Sequence, residues 1–218
     1  MIVPASKRAV ASNPAFSGFT MVELLTVMAI MAIMLYLALP LSASLQEANN
    51  LSFAAQLVGD EFAVAREYAA SCNQTVYVRF IKPAASVNLT GYSYIQLWRT
   101  DPANSSNFLE VDRIVKLPAG IEISSKSSLS PLASSSNLTS GTMPAGSAVA
   151  GNTFYYFTIR PDGNVLEKNA STQTAAANLP NYYFTLLPTR YDSSIFLPQN
   201  YVTIQVNPDT ANTQFYRP

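Results

Sequence analysis

A long run of apolar residues dominates the N-terminal part of the chain. Residues 19–41 read FTMVELLTVMAIMAIMLYLALPL, with Glu23 as the single charged side chain. From Met21 onward this run would form a helix roughly 31 Å long, which is enough to cross the hydrocarbon core of a bilayer. Lys7 and Arg8 precede the run, and the first charged residues after it are acidic. This charge distribution predicts a cytoplasmic N-terminus, with the rest of the chain outside the cytoplasm.

Three interpretations of the apolar run compete: a buried core helix, a cleaved secretory signal and a retained membrane anchor. Its length and apolarity disfavour a core helix. The small residues Ser42, Ala43 and Ser44 follow it and are typical of a signal-peptide cleavage site. A carboxylate costs about 2.5–3.5 kcal/mol at the centre of a membrane helix, so Glu23 indicates a role beyond anchoring or export. We therefore expect a retained anchor.

A helical period continues beyond Pro40, although the polarity changes. One apolar stripe recurs at steps of three and four residues: Leu51, Ala55, Val58, Phe62, Ala65 and Ala69. The pattern predicts one long helix over residues 19–71, with a transmembrane half at 19–41 and an amphipathic half at 42–72. Asn73 can end this helix. Its stripe requires a covering layer, and a β-sheet would supply one.

Alternating apolar residues and turn signals predict about seven strands behind the helix. They cover residues 74–82, 92–99, 108–117, 121–123, 153–160, 182–187 and 201–206, with a hairpin return at 164–167. Residues 124–152 are rich in Ser, Ala, Gly and Thr, and we predict a flexible surface loop there. The expected fold class is α+β: a long N-terminal helix packed on an antiparallel β-sheet head that covers residues 73–218.

Composition narrows the possible functions. The formal net charge is zero, which disfavours strong nucleic-acid binding. The chain has no histidine, so it lacks the commonest metal ligand and general base and cannot form a Ser-His-Asp triad. We expect no catalytic site, no cofactor and no metal. Cys72 is the one cysteine and cannot form a disulfide within the chain; we expect it to be a small buried residue at a helix end.

The motif SGFTMVELL around Gly18 resembles the class III signal of type IV prepilins and pseudopilins. The resemblance implies that a dedicated peptidase removes residues 1–18 as a leader by cutting after Gly18. It also implies N-methylation of the new N-terminal residue, Phe19. Glu23 takes the position of the glutamate that pairs with the terminal amine of a neighbouring subunit during assembly. Pro40 falls where this family often carries a helix-bending proline.

Four segments of the predicted head resemble the H-type minor pseudopilins of type II secretion and the related FimT-like minor pilins. They are the helix-to-strand passage at 53–80, LPAGI at 117–121, FTIRPDG at 157–163 and the tail at 201–218. The family tail usually carries Thr-Gly-Arg, whereas this chain has Thr210, Ala211 and Asn212. The chain therefore departs from the family pattern at its last predicted hairpin.

The aromatic residues of the head have two interpretations. The clusters at 155–157 and 182–184 could stack nucleic-acid bases, and some FimT-like proteins are linked to DNA uptake. Strand alternation instead turns Tyr155, Phe157 and Ile159 toward the core. We favour the core interpretation, because no cluster of basic residues accompanies the aromatic ones.

Two polar features of the head also have a structural explanation. The segment 207–212 is rich in side-chain oxygens, but it contains a single aspartate, which favours a turn over a calcium site. The acidic pairs Asp60 with Glu61 and Glu110 with Asp112 are interpreted as solvated faces, because neither accompanies a base or a set of metal ligands.

The resemblance implies a structural minor pseudopilin or prepilin, not an enzyme. It would be anchored in the bacterial inner membrane by one helix, with a cytoplasmic N-terminus and a periplasmic head. It would assemble into a periplasmic pseudopilus or type IV pilus and support protein secretion. The implied partners are the prepilin peptidase/N-methyltransferase, other pseudopilins or pilins, and inner-membrane lipid. One alternative is a DNA- or ligand-binding minor pilin for competence or adhesion, and the last is an exported enzyme with a cleaved signal.

Overall fold

The structure is a computed structural model that describes residues 18–83, 90–104, 107–134, 138–166, 182–192 and 198–218. Its elements are α1 (Met21–Cys72), β1 (Val76–Lys82), β2 (Tyr94–Thr100), β3 (Phe108–Glu110), β4 (Val115–Lys116), β5 (Ile121–Ile123), β6 (Thr139–Thr142), β7 (Thr153–Ile159), β8 (Val165–Leu166), β9 (Tyr183–Pro188), α2 (Thr189–Asp192), β10 (Val202–Val206) and β11 (Thr213–Tyr216). An N-terminal helix followed by antiparallel strands confirms the α+β prediction. The predicted leader lies outside the described residues except for Gly18.

The chain divides into two units, Met1–Ala43 and Ser44–Pro218. In the first unit, every side chain from Met21 to Leu37 is exposed. Pro40 belongs to α1, but its side chain and the predicted bend lie outside what the structure describes. In the part of the chain that is described, no helix is sufficiently long and apolar to cross a membrane.

The second unit contains two antiparallel sheets. The larger sheet has the strand order β3-β2-β1-β7-β6, with β4 also paired to β2 and β8 to β7. The smaller sheet has the order β11-β10-β9-β5. Several neighbours are consecutive in the chain, such as β1 with β2 and β10 with β11, whereas β1 with β7 and β5 with β9 pair across long separations; all of these pairings are antiparallel. The described residues thus form eleven strands, more than the seven predicted, because several are only two to four residues long.

The apolar stripe of α1 packs against both sheets and forms the main core, as its period predicts. Leu51, Val58, Phe62, Ala65 and Ala69 are fully buried, and Ala55 is nearly so. The ring of Phe62 stacks at 5.5 Å between centroids on Phe157 of the larger sheet and at 5.7 Å on Phe184 of the smaller sheet. Phe62 therefore joins the helix to both sheets.

The end of α1 follows from local backbone chemistry. Asn73 has a φ of 50°, a left-handed conformation that asparagine adopts more readily than most residues. The Gln74 amide donates to the Ala69 carbonyl at 3.2 Å, which is the long bond of a Schellman motif. Cys72 is exposed, so the prediction that it is buried is wrong. The last turn of α1 is exposed from Ala70 onward and lies beyond the core.

Two predicted segments differ from the structure. The strand predicted at 108–117 is interrupted between β3 and β4: the Val111 amide still donates to the Leu97 carbonyl of β2 at 2.9 Å, but residues 112–114 leave the ladder. The segment 124–152 contains β6 and turns, and several of its side chains are buried: Ser124, Ser130, Leu132, Ala133, Ser134, Leu138 and Met143. The prediction of a surface loop does not hold for these residues, because scattered apolar side chains fill the core without any period.

The last hairpin forms around a residue with positive φ. Ala211 takes a φ of 52°, a left-handed conformation that residues other than glycine rarely adopt. Its amide donates to the Asn207 carbonyl at 2.9 Å, and the Asn207 amide donates to the Asn212 carbonyl at 2.8 Å. These bonds close the turn, and β11 pairs with β10 in a regular antiparallel register.

Candidate functional site

The predicted processing site lies in an exposed segment immediately before α1. Gly18, Phe19 and Thr20 have no regular secondary structure, and α1 begins at Met21. The Phe19 side chain is 85% exposed, and a Cβ atom on Gly18 would meet nothing within 4 Å. The bond between Gly18 and Phe19 therefore lies in an open part of the chain, as access by a peptidase would require.

Glu23 lies in the first turn of α1 and forms a capping box with Thr20. The Glu23 carboxylate accepts hydrogen bonds from the Thr20 amide at 3.0 Å and the Thr20 hydroxyl at 2.9 Å. In return, the Glu23 amide donates to the Thr20 hydroxyl oxygen at 3.2 Å. A threonine followed three residues later by glutamate satisfies amide groups that a helix start leaves without partners. The spacing of Thr20 and Glu23 was visible in the sequence, so this contact could have been predicted.

The helix after this cap presents apolar side chains on every side. They include Met21 at 87% exposure, Leu25 at 66% and Tyr36 at 77%. Extended exposed apolar surfaces mark contacts with other proteins or with membrane.

The aromatic residues of the head are used for packing, as we favoured from the sequence. Phe157 and Phe184 lie in the main core, and Tyr155 packs against it. Tyr182 is 4% exposed, which leaves it no open ring face for a base. The arginines also have separate structural partners. Arg190, for example, forms an ion pair with Glu47 within the second unit, with 2.8 Å between Nη2 and Oε2.

The oxygen-rich segment near the C-terminus is a turn. The Asn207 side-chain oxygen accepts hydrogen bonds from the amides of Asp209 at 2.9 Å and Thr210 at 3.2 Å. This is an Asx turn, so the asparagine oxygen already has backbone partners. Among the residues that the structure describes, no group of three His, Cys, Asp or Glu side chains is placed to hold a metal ion.

One residue of the acidic pairs is buried, contrary to the prediction of solvated faces. Asp60, Glu110 and Asp112 are exposed, but Glu61 is only 7% exposed. Burial raises the pKa of Glu61 to about 7, with smaller contributions from the negative charges of Asp112 and Asp60. The helical period places Glu61 at the margin of the buried stripe, next to Phe62, and Asp112 and Arg113 from the segment between β3 and β4 act on its carboxylate.

An aromatic and polar cluster surrounds Arg79 in β1 and was not predicted from the sequence. The Arg79 guanidinium carbon lies 4.0 Å from the ring centre of Trp98 and 4.1 Å from that of Phe154. Burial lowers the pKa of Arg79 to about 10, so the group is still charged at neutral pH. Strand alternation in QTVYVRFIK placed Arg79 on the face opposite Val78 and Phe80, and that alternation was the available signal.

Comparison with known families finds one match, to the prokaryotic N-terminal methylation motif at residues 14–38. The match supports a type IV pilin-like prepilin signal. It includes Gly18, Phe19 and Glu23, and it implies processing by a prepilin peptidase, assembly with other pilins and a membrane-anchored N-terminus. Comparison with curated proteins and with solved structures gives no match. The match does not extend to Pro40 or the head.

Proposed function

We propose that this chain is a structural minor pseudopilin or prepilin of the H-type, not an enzyme, and that it assembles into a periplasmic pseudopilus or type IV pilus in support of protein secretion. The observation that supports the proposal is the methylation motif at residues 14–38, whose residues Gly18 and Phe19 are exposed just before α1; the H-type and minor roles rest on the resemblance of the head segments. In this proposal the peptidase cuts after Gly18, and the N-methyltransferase modifies Phe19. Pro40 bends the helix between its membrane and head portions.

The apolar side chains of the first unit support the membrane step. Residues 21–37 present apolar groups on all sides, with Glu23 as the only charge. We infer that this part inserts into the inner membrane, with the N-terminus cytoplasmic. The net positive leader and the acidic residues that follow the run favour this orientation. The second unit, with its own core, then lies in the periplasm.

The cap at the start of α1 gives Glu23 two uses that act at different stages. In the single chain, its carboxylate closes the capping box with Thr20. Cleavage creates a new α-amine on Phe19, a cation that the precursor lacks. We infer that Glu23 then pairs with the terminal amine of a neighbouring subunit, because an unpaired ion is costly in a low-dielectric membrane and pairing fixes the register of the two helices.

The two uses can be separated by substitution. Glu23→Gln keeps a carbonyl acceptor for the capping box but removes the charge, whereas Glu23→Ala removes both. Thr20→Val removes the capping hydroxyl and keeps the charge. We expect all three variants to insert and to be cleaved. Glu23→Gln and Glu23→Ala should lose most crosslinking to other pilin-like subunits, and Thr20→Val should retain it.

The measurement is crosslinking or co-purification with other pilin-like subunits, at equal membrane abundance of each variant. The wild-type chain and Thr20→Ser, which keeps both the hydroxyl and the charge, are the controls. Wild-type crosslinking by Glu23→Gln would show that the charge is not required and would reduce Glu23 to a helix cap. Loss of crosslinking by Thr20→Val alone would assign the assembly defect to the cap.

A further inference from the structure

The face of the larger sheet turned away from α1, here called the outer face, carries a small second core. Strand pleating points the side chains of residues 76, 78 and 80 toward α1 and those of 77, 79 and 81 to the outer face. Four outer-face side chains are buried: Ile81, Trp98, Met143 and Phe154. Arg79 lies among them at 4% exposure. Glu110, cross-strand to Trp98, is the acidic residue whose charge acts on Arg79, but no ion pair joins the two among the described residues. The buried guanidinium therefore requires a further explanation, because burying an ion without a direct partner is costly.

Three polar atoms of this cluster are buried without a hydrogen-bond partner among the described residues. They are Nε of Arg79, Nε1 of Trp98 and Oε1 of Gln96. Gln96 is the cross-strand partner of Arg79, and Trp98 follows it on the same face of β2. Such groups are rare in folded proteins, and three of them on adjacent strands indicate a shared partner. Gln96 is 2% exposed and Trp98 is 6% exposed.

The aromatic rings restrict how a partner could reach Arg79. The rings of Trp98 and Phe154 lie 4.0 and 4.1 Å from the guanidinium carbon, and the ring of Phe108 lies 5.3 Å from it. Contacts with ring faces stabilise the charge but do not satisfy its N–H groups. The N–H bonds lie in the plane of the guanidinium and point away from its central carbon. An acceptor must therefore approach in that plane, at the edge of the guanidinium and not over its face.

We propose that Arg79, Gln96 and Trp98 form a binding site for a carboxylate carried on an apolar or aromatic group. A planar carboxylate matches the fork of an arginine edge through two parallel hydrogen bonds. The Trp98 N–H donates a further hydrogen bond to the carboxylate, whereas Gln96 Oε1 is an acceptor and takes one from an N–H group next to that carboxylate on the ligand. Tyr77, Phe108 and Tyr156 form the partly exposed rim, which favours a ligand with an apolar body next to its charge.

The edge strand β3 offers a route to this site. β3 has three residues, all exposed, and it pairs with β2 alone. Phe108 of β3 is 38% exposed and packs edge-on against Tyr77 at 5.1 Å between ring centroids. Short edge strands separate from a sheet at low cost, so displacement of Phe108 can open the edge of Arg79. The proposal is independent of the assembly function and of Glu23.

Trp98 is the only tryptophan of the chain, so its fluorescence reports directly on this site. We would titrate the full-length chain, purified in detergent, with N-acetylphenylalanine and excite tryptophan selectively. N-acetylphenylalaninamide, which lacks the carboxylate, is the matched control. Sodium acetate tests a free small carboxylate. We expect a saturable change of Trp98 emission with N-acetylphenylalanine and none with the amide; saturation with acetate as well would mean that the carboxylate alone is recognised.

Arg79→Lys keeps the positive charge and removes the planar fork, and it should weaken binding by about tenfold or more. The control is Arg99→Lys on the neighbouring strand β2. The Arg99 side chain donates a hydrogen bond to Gln74 instead of lining the site, so this variant should bind as wild type does. Chemical shifts of the Trp98 indole N–H provide a second readout if Arg79→Lys is less stable. An equal response to the acid and the amide, or no saturable response to any probe, would overturn the proposal and make Arg79 a structural cation.

Discussion

Glu61 is an ionisable side chain of α1 that lies buried at the margin of the helix's apolar stripe. It is 7% exposed, its Oε2 atom has no hydrogen-bond partner among the described residues, and Asp112, Asp60 and Arg113 are the charged groups around it. Its pKa is raised to about 7, mainly by burial. Between pH 4.5, the ordinary pKa of a glutamate, and about pH 7, Glu61 therefore keeps its proton in the folded state but has released it in the unfolded chain.

This shift predicts that stability falls as pH rises from about 4.5 through about 7, because the folded state binds more protons than the unfolded state over that window. Glu61→Gln removes the titration and should stabilise the protein at pH 8 by about 1–3 kcal/mol, at 1.36 kcal/mol per pKa unit with a discount for screening. Urea unfolding at pH 5 and pH 8 is the measurement. Glu67→Gln, exposed on the same helix, is the control; the account fails if wild type and Glu61→Gln show the same change in stability between the two pH values.

The residues that could be predicted from the sequence are those whose roles depend on near neighbours in the chain. Gly18, Phe19 and Glu23 belong to one local sequence motif, so the processing signal can be recognised without knowledge of the fold. Arg79 and Glu61 depend on contacts with residues far along the chain, Trp98 and Phe154 in one case and Asp112 in the other. No local pattern places these groups together, and their burial could not be predicted.

At the scale of elements, both ends of α1 are set by specific residues. Thr20 and Glu23 close its start, and Asn73 closes its end with a left-handed φ of 50°. The 3.2 Å bond from the Gln74 amide to the Ala69 carbonyl completes the second cap. These caps explain why the helix spans Met21–Cys72, within two residues of the predicted limits.

The C-terminal cap predicts the effect of substitutions at Asn73. Asn73→Ala should destabilise the protein by about 1 kcal/mol, because a Cβ-bearing residue without asparagine's local hydrogen bonding is strained in this conformation. Asn73→Gly should be neutral or slightly stabilising. Urea midpoints of the two variants against wild type provide the test. A greater loss of stability in Asn73→Gly than in Asn73→Ala would contradict the cap.

Element prediction succeeded where one period was continuous and failed where it was broken. The stripe from Leu51 to Ala69 and the alternation in β1 and β7 were sufficient to place the helix face and the inner faces of the strands. Residues 124–152 were not predictable in this way, because single apolar side chains such as Leu132 and Leu138 are separated by turns. The break between β3 and β4 also has no signal in the sequence, since the apolar Val111 still packs against the main core as a strand residue would.

At the scale of the whole molecule, Met1–Ala43 and Ser44–Pro218 form separate units, and the main core lies within the second. The fragment 44–218 should therefore fold alone and melt cooperatively. Phe62→Ala in this fragment should cost about 3–5 kcal/mol, because the fully buried ring contacts both sheets. Phe53→Ala, at 58% exposure, should change stability by about 0.5 kcal/mol or less.

Circular dichroism and urea unfolding of the wild-type fragment and the two variants test this prediction. A fragment without a cooperative transition would show that the head depends on its N-terminal segment or on partners. Equal effects of the two phenylalanine substitutions would contradict the assignment of Phe62 to the centre of the core.

The central claim is that the chain is processed as a prepilin, and the mature N-terminus tests it most directly. Mass spectrometry of the N-terminal peptide from native membranes should show a chain that begins at Phe19 and carries one methyl group on its amine. The same peptide from Gly18→Val, a variant with a branched side chain at the cut, should retain the leader. A mature chain that begins at Leu45 would indicate an ordinary signal peptide and contradict the account.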